Sequence, residues 1–285
     1  MRYGKFLPEK GTIGFVAPSF GCNIEPYRSA FINAQKIWEQ QGYGFSFGPN
    51  AYEGCGIGIS NTPQKCAEEF NDWYAKEDVD VLISCGGGEL MCEILPYIDF
   101  EKIRNSEPKW FLGYSDNTNL IFLLATLCDT AAIYGPCAAA FGMEPWHDSL
   151  KDATGILKGN IKSVHNYEQW EKEGLKTEDN PLEPYNVTEK FQLRTWTAEK
   201  GLSIPDDISK KTDEIIQMEG RLLGGCLDCL SILCGTKFDQ VEQFNEKYKE
   251  DGILWFLESC DLNPMGIRRA LWQLDEAGWL KYTKG

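Results

Sequence analysis

The feature that most constrains the fold is the alternation of short apolar segments with amphipathic ones. Between the apolar segments, helical spacing of apolar residues, or an N-cap followed by proline as at Thr62-Pro63, predicts helices. Strands that alternate with helices in this way predict a mostly parallel sheet with helices on both faces, which binds ligands at the carboxyl ends of its strands. The predicted strands lie at residues 11–18, 44–47, 79–84, 110–112 and 131–134.

A charged, proline-containing stretch divides the chain. Residues 166–219 lack clear periodicity, so we expect a loop-rich connection there, with partly exposed aromatic residues such as Trp170 and Trp196. Residues 1–165 predict an N-terminal doubly wound α/β domain. Residues 220–285 predict a smaller α/β C-terminal domain, with helices at 227–233 and 264–277 around a strand at 252–257.

Composition excludes several classes of function. The net charge of −15 over 285 residues argues against binding to nucleic acid or to anionic membrane surfaces. No apolar run approaches the length of a membrane span, and no signal-peptide core follows Met1. Eleven cysteines are scattered through apolar segments, which predicts buried thiols in a reducing, cytoplasmic setting. Cys226 and Cys229 form a lone C-x-x-C pair, a weak signal for zinc without histidines nearby.

The segment around Ser115 predicts a nucleophile. The apolar strand ends in Gly113-Tyr114-Ser115-Asp116, and an apolar helix of about three turns follows from Asn117. A serine on a tight turn between a strand and a helix is typical of a nucleophile elbow. Only the first glycine of G-x-S-x-G is present, because Asn117 takes the last position. The alternative is a serine that caps a buried helix.

Two further segments carry candidate site residues. The glycines at 86–88 follow a predicted strand, so their backbone amides are free to approach a ligand. They predict an oxyanion hole, a phosphate loop or only a tight turn, although no phosphate-loop motif is present. Glu258 ends an apolar strand and predicts either a triad carboxylate or a solvated strand end. His147 and His165 are the only histidines, and both are typical of surface positions.

Taken together, these segments resemble the LD-carboxypeptidase family of serine peptidases, and within it the microcin C immunity peptidases. The resemblance runs along essentially the whole chain, and it depends on the order and spacing of motifs that are each weak alone. The motifs are Gly11-Thr-Ile-Gly-Phe, Ala67-Glu-Glu-Phe-Asn, Gly87-Gly88, Leu95-Pro-Tyr-Ile-Asp, Gly113-Tyr-Ser-Asp, Tyr134-Gly-Pro, Gly220-Arg-Leu-Leu-Gly-Gly and Phe256-Leu-Glu.

The resemblance implies a Ser-His-Glu hydrolase that cleaves the bond between an L- and a D-amino acid in murein tetrapeptide. The immunity branch instead cleaves the amide that joins an aminoacyl group to a toxic nucleotide. On matching positions, Ser115 would be the nucleophile and Glu258 the triad carboxylate, and the backbone amides of Gly87 and Asp116 would form the oxyanion hole. No metal or other cofactor is implied, and a homodimer is what the resemblance suggests.

This sequence departs from the family at three places. The catalytic histidine comes from a segment beyond the last helix seen here, so we expect either a fragment with an incomplete C-terminal domain or a non-catalytic protein that binds a peptide or an aminoacyl-nucleotide. A fragment would leave Trp279, Leu280 and Tyr282 with few packing partners. Cys226 replaces the family's asparagine, and Ser259 replaces an acidic residue.

The charged insertion bears on the choice of substrate. Its aromatic residues favour the immunity branch, because the indole of Trp170 could stack on a nucleobase, a contact of roughly 1–3 kcal/mol. The alternative is that these tryptophans only attach the irregular segment to the body of the protein.

Overall fold

The computed structural model describes residues 1–56, 58–192 and 217–285. Trp196 and much of the predicted connection at 166–219 lie outside these described residues.

Five parallel strands form the central sheet, in the order β2-β1-β3-β4-β5. The predicted doubly wound, mostly parallel α/β fold is therefore confirmed. Because the strand order reverses between β1 and β3, the crevice for a ligand is expected above the carboxyl ends of these strands and their neighbours. The strands are β1 Thr12–Val16, β2 Gly44–Phe47, β3 Val81–Ser84, β4 Trp110–Gly113 and β5 Ile133–Tyr134. The helices of this half are α1 Tyr27–Gln40, α2 Pro63–Ala75, α3 Phe100–Asn105, α4 Thr118–Cys128 and α5 Asp148–Leu157.

The central strands are buried on both faces, which explains why they read as continuous apolar runs. In β4, Phe111 packs into the core shared with α2 and α4, whereas Leu112 packs into the core on the opposite face with α1 and α5. Alternate side chains of a strand point to opposite faces, so each strand supplies both cores.

Three local predictions need correction. After the strand at 79–84, the apolar sequence predicts a helix around Leu90–Leu95, but the structure has a 3₁₀ helix at Met91–Tyr97, which contains Pro96. Proline lacks an amide hydrogen and cannot extend a regular α-helix at that point. Helices α3 and α5 were not predicted. In the loop-rich connection, β6 Gln169–Glu171 and β7 Val187–Lys190 form an antiparallel pair.

The C-terminal half, which is residues 217–285, contains two parallel strands and three helices. β8 Arg221–Cys226 pairs with β9 Ile253–Glu258, and the register places Cys226 beside Glu258. The helices are α6 Leu227–Leu233, α7 Val241–Lys247 and α8 Pro264–Glu276.

The expectation that Trp279 lacks packing partners is wrong. Its side chain is buried, and its ring stacks on Phe122 of α4 and on Trp255 of β9. The indole nitrogen donates hydrogen bonds to the carboxylate of Asp239. Leu280 and Tyr282 are half-buried. Within residues 1–56, 58–192 and 217–285, no helix is both long and apolar enough to cross a membrane.

Candidate active site

Ser115 sits at a strained turn directly after β4. Its backbone φ is +61°, a left-handed conformation that is uncommon outside glycine. One 3₁₀ turn over Ser115–Asn117 then leads into α4. Gly113 permits the turn, because a Cβ there would lie 2.7 Å from the Cγ atom of Asn117. A strained serine between a strand and a helix has the geometry of a nucleophile elbow.

Asn117, at the position of the second glycine of the G-x-S-x-G motif, closes this turn. Its buried side-chain amide donates hydrogen bonds to the carbonyl oxygens of Tyr114 and Gly86, both at 3.0 Å. The first bond closes the elbow, and the second joins the elbow to the glycine loop after β3. Asn117 therefore fixes the position of one loop relative to the other.

Gly87 lies against the side chain of Ser115. A Cβ on Gly87 would be 3.2 Å from Cβ and 3.3 Å from Oγ of Ser115. Among the described residues, the amides of Gly87 and Asp116 donate to no protein acceptor, so both are available to a ligand. Two free amides next to a serine hydroxyl form the kind of pair that stabilises an oxyanion.

The side chain of Asp116 links three loops at this edge of the sheet. Its carboxylate accepts hydrogen bonds from the Ser19 hydroxyl at 2.5 Å, the Met91 amide at 2.9 Å and the Asn119 side chain at 3.0 Å. Burial raises the pKa of Asp116, and the bonds from Ser19 and Met91 oppose that shift. Because its carboxylate is fully engaged, Asp116 offers the site only its backbone amide.

Tyr134, at the end of β5, connects Ser115 to Glu258. Its hydroxyl accepts a hydrogen bond from the Ser115 amide at 2.9 Å and donates one to Oε1 of Glu258 at 2.5 Å. Burial, and after it the hydrogen bond to Glu258, raises the pKa of Tyr134 above its usual value. The tyrosine therefore stays protonated and acts as a neutral bridge between the two predicted catalytic residues.

The end of β8, in the C-terminal half, also contacts the segment around Ser115. The Cys226 amide donates to the hydroxyl of Thr118 at 2.9 Å, and the Cys229 sulfur lies 3.9 Å from the carbonyl oxygen of Ser115. These contacts attach the C-terminal half to the elbow. The half that supplies Glu258 thus meets the half that supplies Ser115 at the start of α4.

Other predicted or candidate residues lie apart from this group. Trp170, in β6, is 49% exposed and pairs with Glu189 of β7. His147 caps α5 and packs its ring against Tyr167 and Tyr185. His165 packs against Tyr167. In the part of the chain that the structure describes, neither histidine is hydrogen-bonded to Ser115 or Glu258, and no cluster of three metal-ligating side chains occurs.

A large cavity of about 1010 Å³ opens between β5 and β8. Tyr134 and Phe256 line it, whereas Ser115, Gly87 and Glu258 do not. The cavity therefore shares one wall with the candidate site but is not the space above the nucleophile.

The sequence motifs and the family resemblance selected Ser115, Gly87, Asp116 and Glu258 but missed three residues that connect them. Tyr134 was recognised only as part of a motif, Asn117 only as a missing glycine, and Ser19, in the loop after the first predicted strand, was not singled out. Tyr134 is the last residue of β5, and the other two lie within four residues of the carboxyl ends of β4 and β1. That placement on the ligand-binding side of the sheet is the signal that could have identified them.

Comparison with known proteins gives matches along most of the chain. Residues 13–135 match the family model for the LD-carboxypeptidase N-terminal domain, and residues 219–285 match the model for the LD-carboxypeptidase C-terminal domain.

Individual relatives are more distant. The microcin C7 self-immunity protein MccF of Escherichia coli is 25% identical over 236 residues, which cover 80% of this chain but 62% of MccF. A probable murein peptide carboxypeptidase of Bacillus subtilis is 24% identical over 282 residues, 99% of this chain and 72% of that protein. A solved structure of MccF in complex with glutamyl sulfamoyl guanosine superposes with a TM-score of 0.76 at 19% identity, covering 99% of this chain and 78% of that one. At that identity, the likeness shows the fold alone.

Proposed function

Because the chain belongs to the LD-carboxypeptidase family, we propose that it serves as a serine carboxypeptidase of the LD type, which acts through an acyl-enzyme. The observation that carries the proposal is Ser115 at φ +61°, with Gly87 packed against its hydroxyl. A serine that only caps a helix has no need of a left-handed backbone. The free amides beside it supply the second requirement of acyl transfer, which is stabilisation of the oxyanion.

In the proposed reaction, Oγ of Ser115 attacks the carbonyl carbon of the scissile amide. The amides of Gly87 and Asp116 bind the oxygen as it becomes negative. The C–N bond then breaks, and the amine leaves with the proton of the Ser115 hydroxyl. Water finally hydrolyses the ester, which returns the hydroxyl to Ser115 and releases the carboxylic acid. Glu258 acts as the carboxylate of the triad, held by the hydroxyl of Tyr134. The proposal assigns neither His147 nor His165 as the general base, because both pack on aromatic rings away from the elbow.

We propose that the protein acts in the cytoplasm on one of two substrate classes. One is murein tetrapeptide with an L-D bond, in line with the Bacillus subtilis relative. The other is the amide of an aminoacyl- or peptidyl-nucleotide, in line with the MccF complex with glutamyl sulfamoyl guanosine. In the second case, the half-exposed indole of Trp170 would stack on the base.

A second candidate function is binding of the same ligands without turnover. The observation that favours it is the direct link from Ser115 through Tyr134 to Glu258, which joins the two residues without a histidine between them. Such a protein would bind peptides or aminoacyl-nucleotides through the oxyanion amides and release them unchanged.

The test compares Ser115→Ala with Ser106→Ala in the protein purified intact from its source. Ser106 precedes β4 at the opposite edge of the sheet, where its hydroxyl donates to the carbonyl of Ile103. Release of the terminal amino acid is measured with murein tetrapeptide and with an aminoacyl sulfamoyl nucleotide, and binding is measured by calorimetry. We expect Ser115→Ala to lose on the order of 10⁶ in kcat and to keep binding, with Ser106→Ala unchanged. Equal turnover in both variants would overturn the enzyme proposal, and binding with no turnover in the unmodified protein would support the second function.

A further inference from the structure

Two thiols lie between the candidate nucleophile and the candidate carboxylate. Cys226 pairs in register with Glu258, and the Cys229 sulfur approaches the Ser115 carbonyl at 3.9 Å. Cys226 precedes the first residue of α6 and Cys229 is the third residue of that helix. Helix geometry puts Cα atoms three positions apart at about 5 Å, inside the span of a disulfide.

The two thiols differ in acidity because they interact with each other. The side-chain interaction between the two thiols lowers the pKa of Cys226 and raises the pKa of Cys229. Burial, Glu258 and Asp228 oppose the shift at Cys226 but do not cancel it. A pair with one acidic thiol and one protonated partner matches a reactive cysteine next to a resolving one.

A second group of close thiols shows what is special about this pair. The Cys22 thiol donates to the carbonyl oxygen of Cys85 at 3.4 Å, and both residues are buried in the opposite half of the molecule. Burial raises the pKa of Cys85 well above its usual value. Cys226 and Cys229 are buried as well, but the pKa of Cys226 is lowered, so Cys226 is the more acidic thiol of the two groups.

We propose that Cys226 and Cys229 form a reversible disulfide on reaction with a hydroperoxide such as hydrogen peroxide, and that this disulfide controls the neighbouring site. The Cys226 thiolate attacks one peroxide oxygen, the O–O bond breaks, and hydroxide leaves, so that a sulfenic acid forms on Cys226. The Cys229 sulfur then attacks the sulfenic sulfur. The S–S bond forms, the S–O bond breaks, and the proton of Cys229 leaves with the hydroxide as water. Two thiols and one peroxide thus give one disulfide and two waters.

The disulfide would change the contacts of both candidate catalytic residues. Cys229 would lose its S–H donor beside the Ser115 carbonyl, and Cys226 would lose its hydrogen bond to Asp228, 3.4 Å away. The carboxylate of Asp228 also accepts from the Ser259 hydroxyl and the Cys260 amide, just after Glu258. Oxidation therefore alters the supports of both the elbow and the end of β9. The effect on activity depends on the proposed function, but formation of the bond does not.

Peptide mapping tests the bond directly. The native protein is treated with hydrogen peroxide, remaining thiols are alkylated with N-ethylmaleimide, and trypsin releases the peptide of residues 222–237, which contains Cys226, Cys229 and Cys234. We expect this peptide to lose two hydrogens and to carry one maleimide, on Cys234, whereas peptides with Cys22 and Cys85 stay fully alkylated. Dithiothreitol is expected to restore all three alkylation sites, and kcat/KM to fall at least tenfold on oxidation and recover on reduction.

Matched variants separate the outcomes. With Cys234→Ser the disulfide should still form, whereas with Cys229→Ser the oxidation of Cys226 should stop at a sulfenic acid that dimedone labels. Full alkylation of residues 226 and 229 after peroxide would overturn the proposal. A disulfide that forms without changing kcat/KM would overturn only the control of the site. Absence of turnover in the reduced protein would count against the proposed function and leave the mapping result as the measure of the bond.

Discussion

The two candidate catalytic residues are supported in very different ways. Ser115 is held by buried side chains. Asn117 closes its turn by hydrogen bonds, and the carboxylate of Asp116 is hydrogen-bonded to the neighbouring loops. Glu258 is exposed at the end of β9, and the side-chain hydrogen bond that the described residues give it comes from Tyr134. The candidate nucleophile is thus held in place without a ligand, whereas the candidate carboxylate depends on one tyrosine.

This difference indicates how the two halves divide the task. Oxyanion stabilisation gains from groups that need no reorganisation, and the buried loops of the N-terminal half provide such groups. A triad carboxylate must orient a partner and stabilise its charge, and an exposed position at the end of a strand leaves room for that partner. The comparison makes separate predictions for each half.

After the loss of Ser115 itself, the largest effect is expected from Glu258→Gln, which keeps the shape of the side chain and removes its charge. If Glu258 is the triad carboxylate, kcat should fall on the order of 10⁴-fold with little change in the free energy of unfolding, because the side chain is exposed. The matched control is Glu246→Gln, since Glu246 also accepts a tyrosine hydroxyl, that of Tyr282. An unchanged kcat in Glu258→Gln would show that Glu258 does not take part in catalysis.

On the buried side, Gly87→Ala should lower kcat/KM by about 10²- to 10³-fold. The new methyl group would lie 3.2 Å from Cβ of Ser115 and would push the loop amide away from the oxyanion. The control is Gly44→Ala on β2, where the nearest atom would be at 3.6 Å. The measurement is kcat/KM of both variants in steady-state kinetics with a cleavable peptide. Equal kinetics for the two variants would remove Gly87 from the oxyanion hole.

The N-terminal half should also show a pH dependence of stability. Glu69 accepts hydrogen bonds from the amides of Ala17 and Asn50, and burial raises its pKa from 4.5 to about 7. Since folding raises this pKa, the contribution of Glu69 to the free energy of unfolding is fully present below pH 4.5 and is lost as the pH rises to about 7. The loss is on the order of 3 kcal/mol.

Urea unfolding at pH 5 and pH 8 measures this effect. Between pH 5 and pH 8, the free energy of unfolding should fall less in Glu69→Gln than in the unmodified protein. Glu68 is the exposed neighbour of Glu69, so Glu68→Gln should show the same fall as the unmodified protein. Asp116, whose pKa burial also raises, acts in the same direction and leaves a residual slope in Glu69→Gln. A free energy that rises between these two pH values in the unmodified protein would contradict the assignment.

The smallest effect is expected from Tyr134→Phe, which removes the hydroxyl that connects Ser115 to Glu258. Loss of the hydroxyl leaves the Ser115 amide without its acceptor and frees Glu258, so kcat/KM should fall about tenfold. Tyr282→Phe removes an equivalent tyrosine–carboxylate bond away from the site and serves as the control. If Tyr134 acts by positioning Glu258, its effect should vanish in a Glu258→Gln background. Additive effects of the two changes would mean that it acts elsewhere.

Much of the fold could be predicted from local patterns. β2 at Gly44–Phe47 and α6 at Leu227–Leu233 have the bounds that apolar runs and flanking glycines indicate. The position of Ser115 after β4 could also be predicted, because parallel strands place their carboxyl ends at one edge. The catalytic roles of the side chains around Ser115 remain predictions, which kinetic measurements can test.

What could not be predicted depends on contacts between distant parts of the chain. The hydrogen bond from Tyr134 to Glu258 joins residues 124 positions apart, and no local pattern encodes it. The burial of Trp279 was missed for the same reason, since its stacking partner Phe122 lies on another element. Helix α5 was missed because its sequence, DSLKDATGIL, has only a short apolar face.

The stacking of Trp279 on Phe122 has a consequence for synthesis on the ribosome. Helix α4, which begins just after the elbow, receives part of its apolar cover from a residue made more than 150 positions later. At usual rates of translation, that interval lasts roughly 8–30 s. During it, the Phe122 face of the nascent helix is open to chaperones, so the elbow reaches its final support only when Trp279 has left the ribosome.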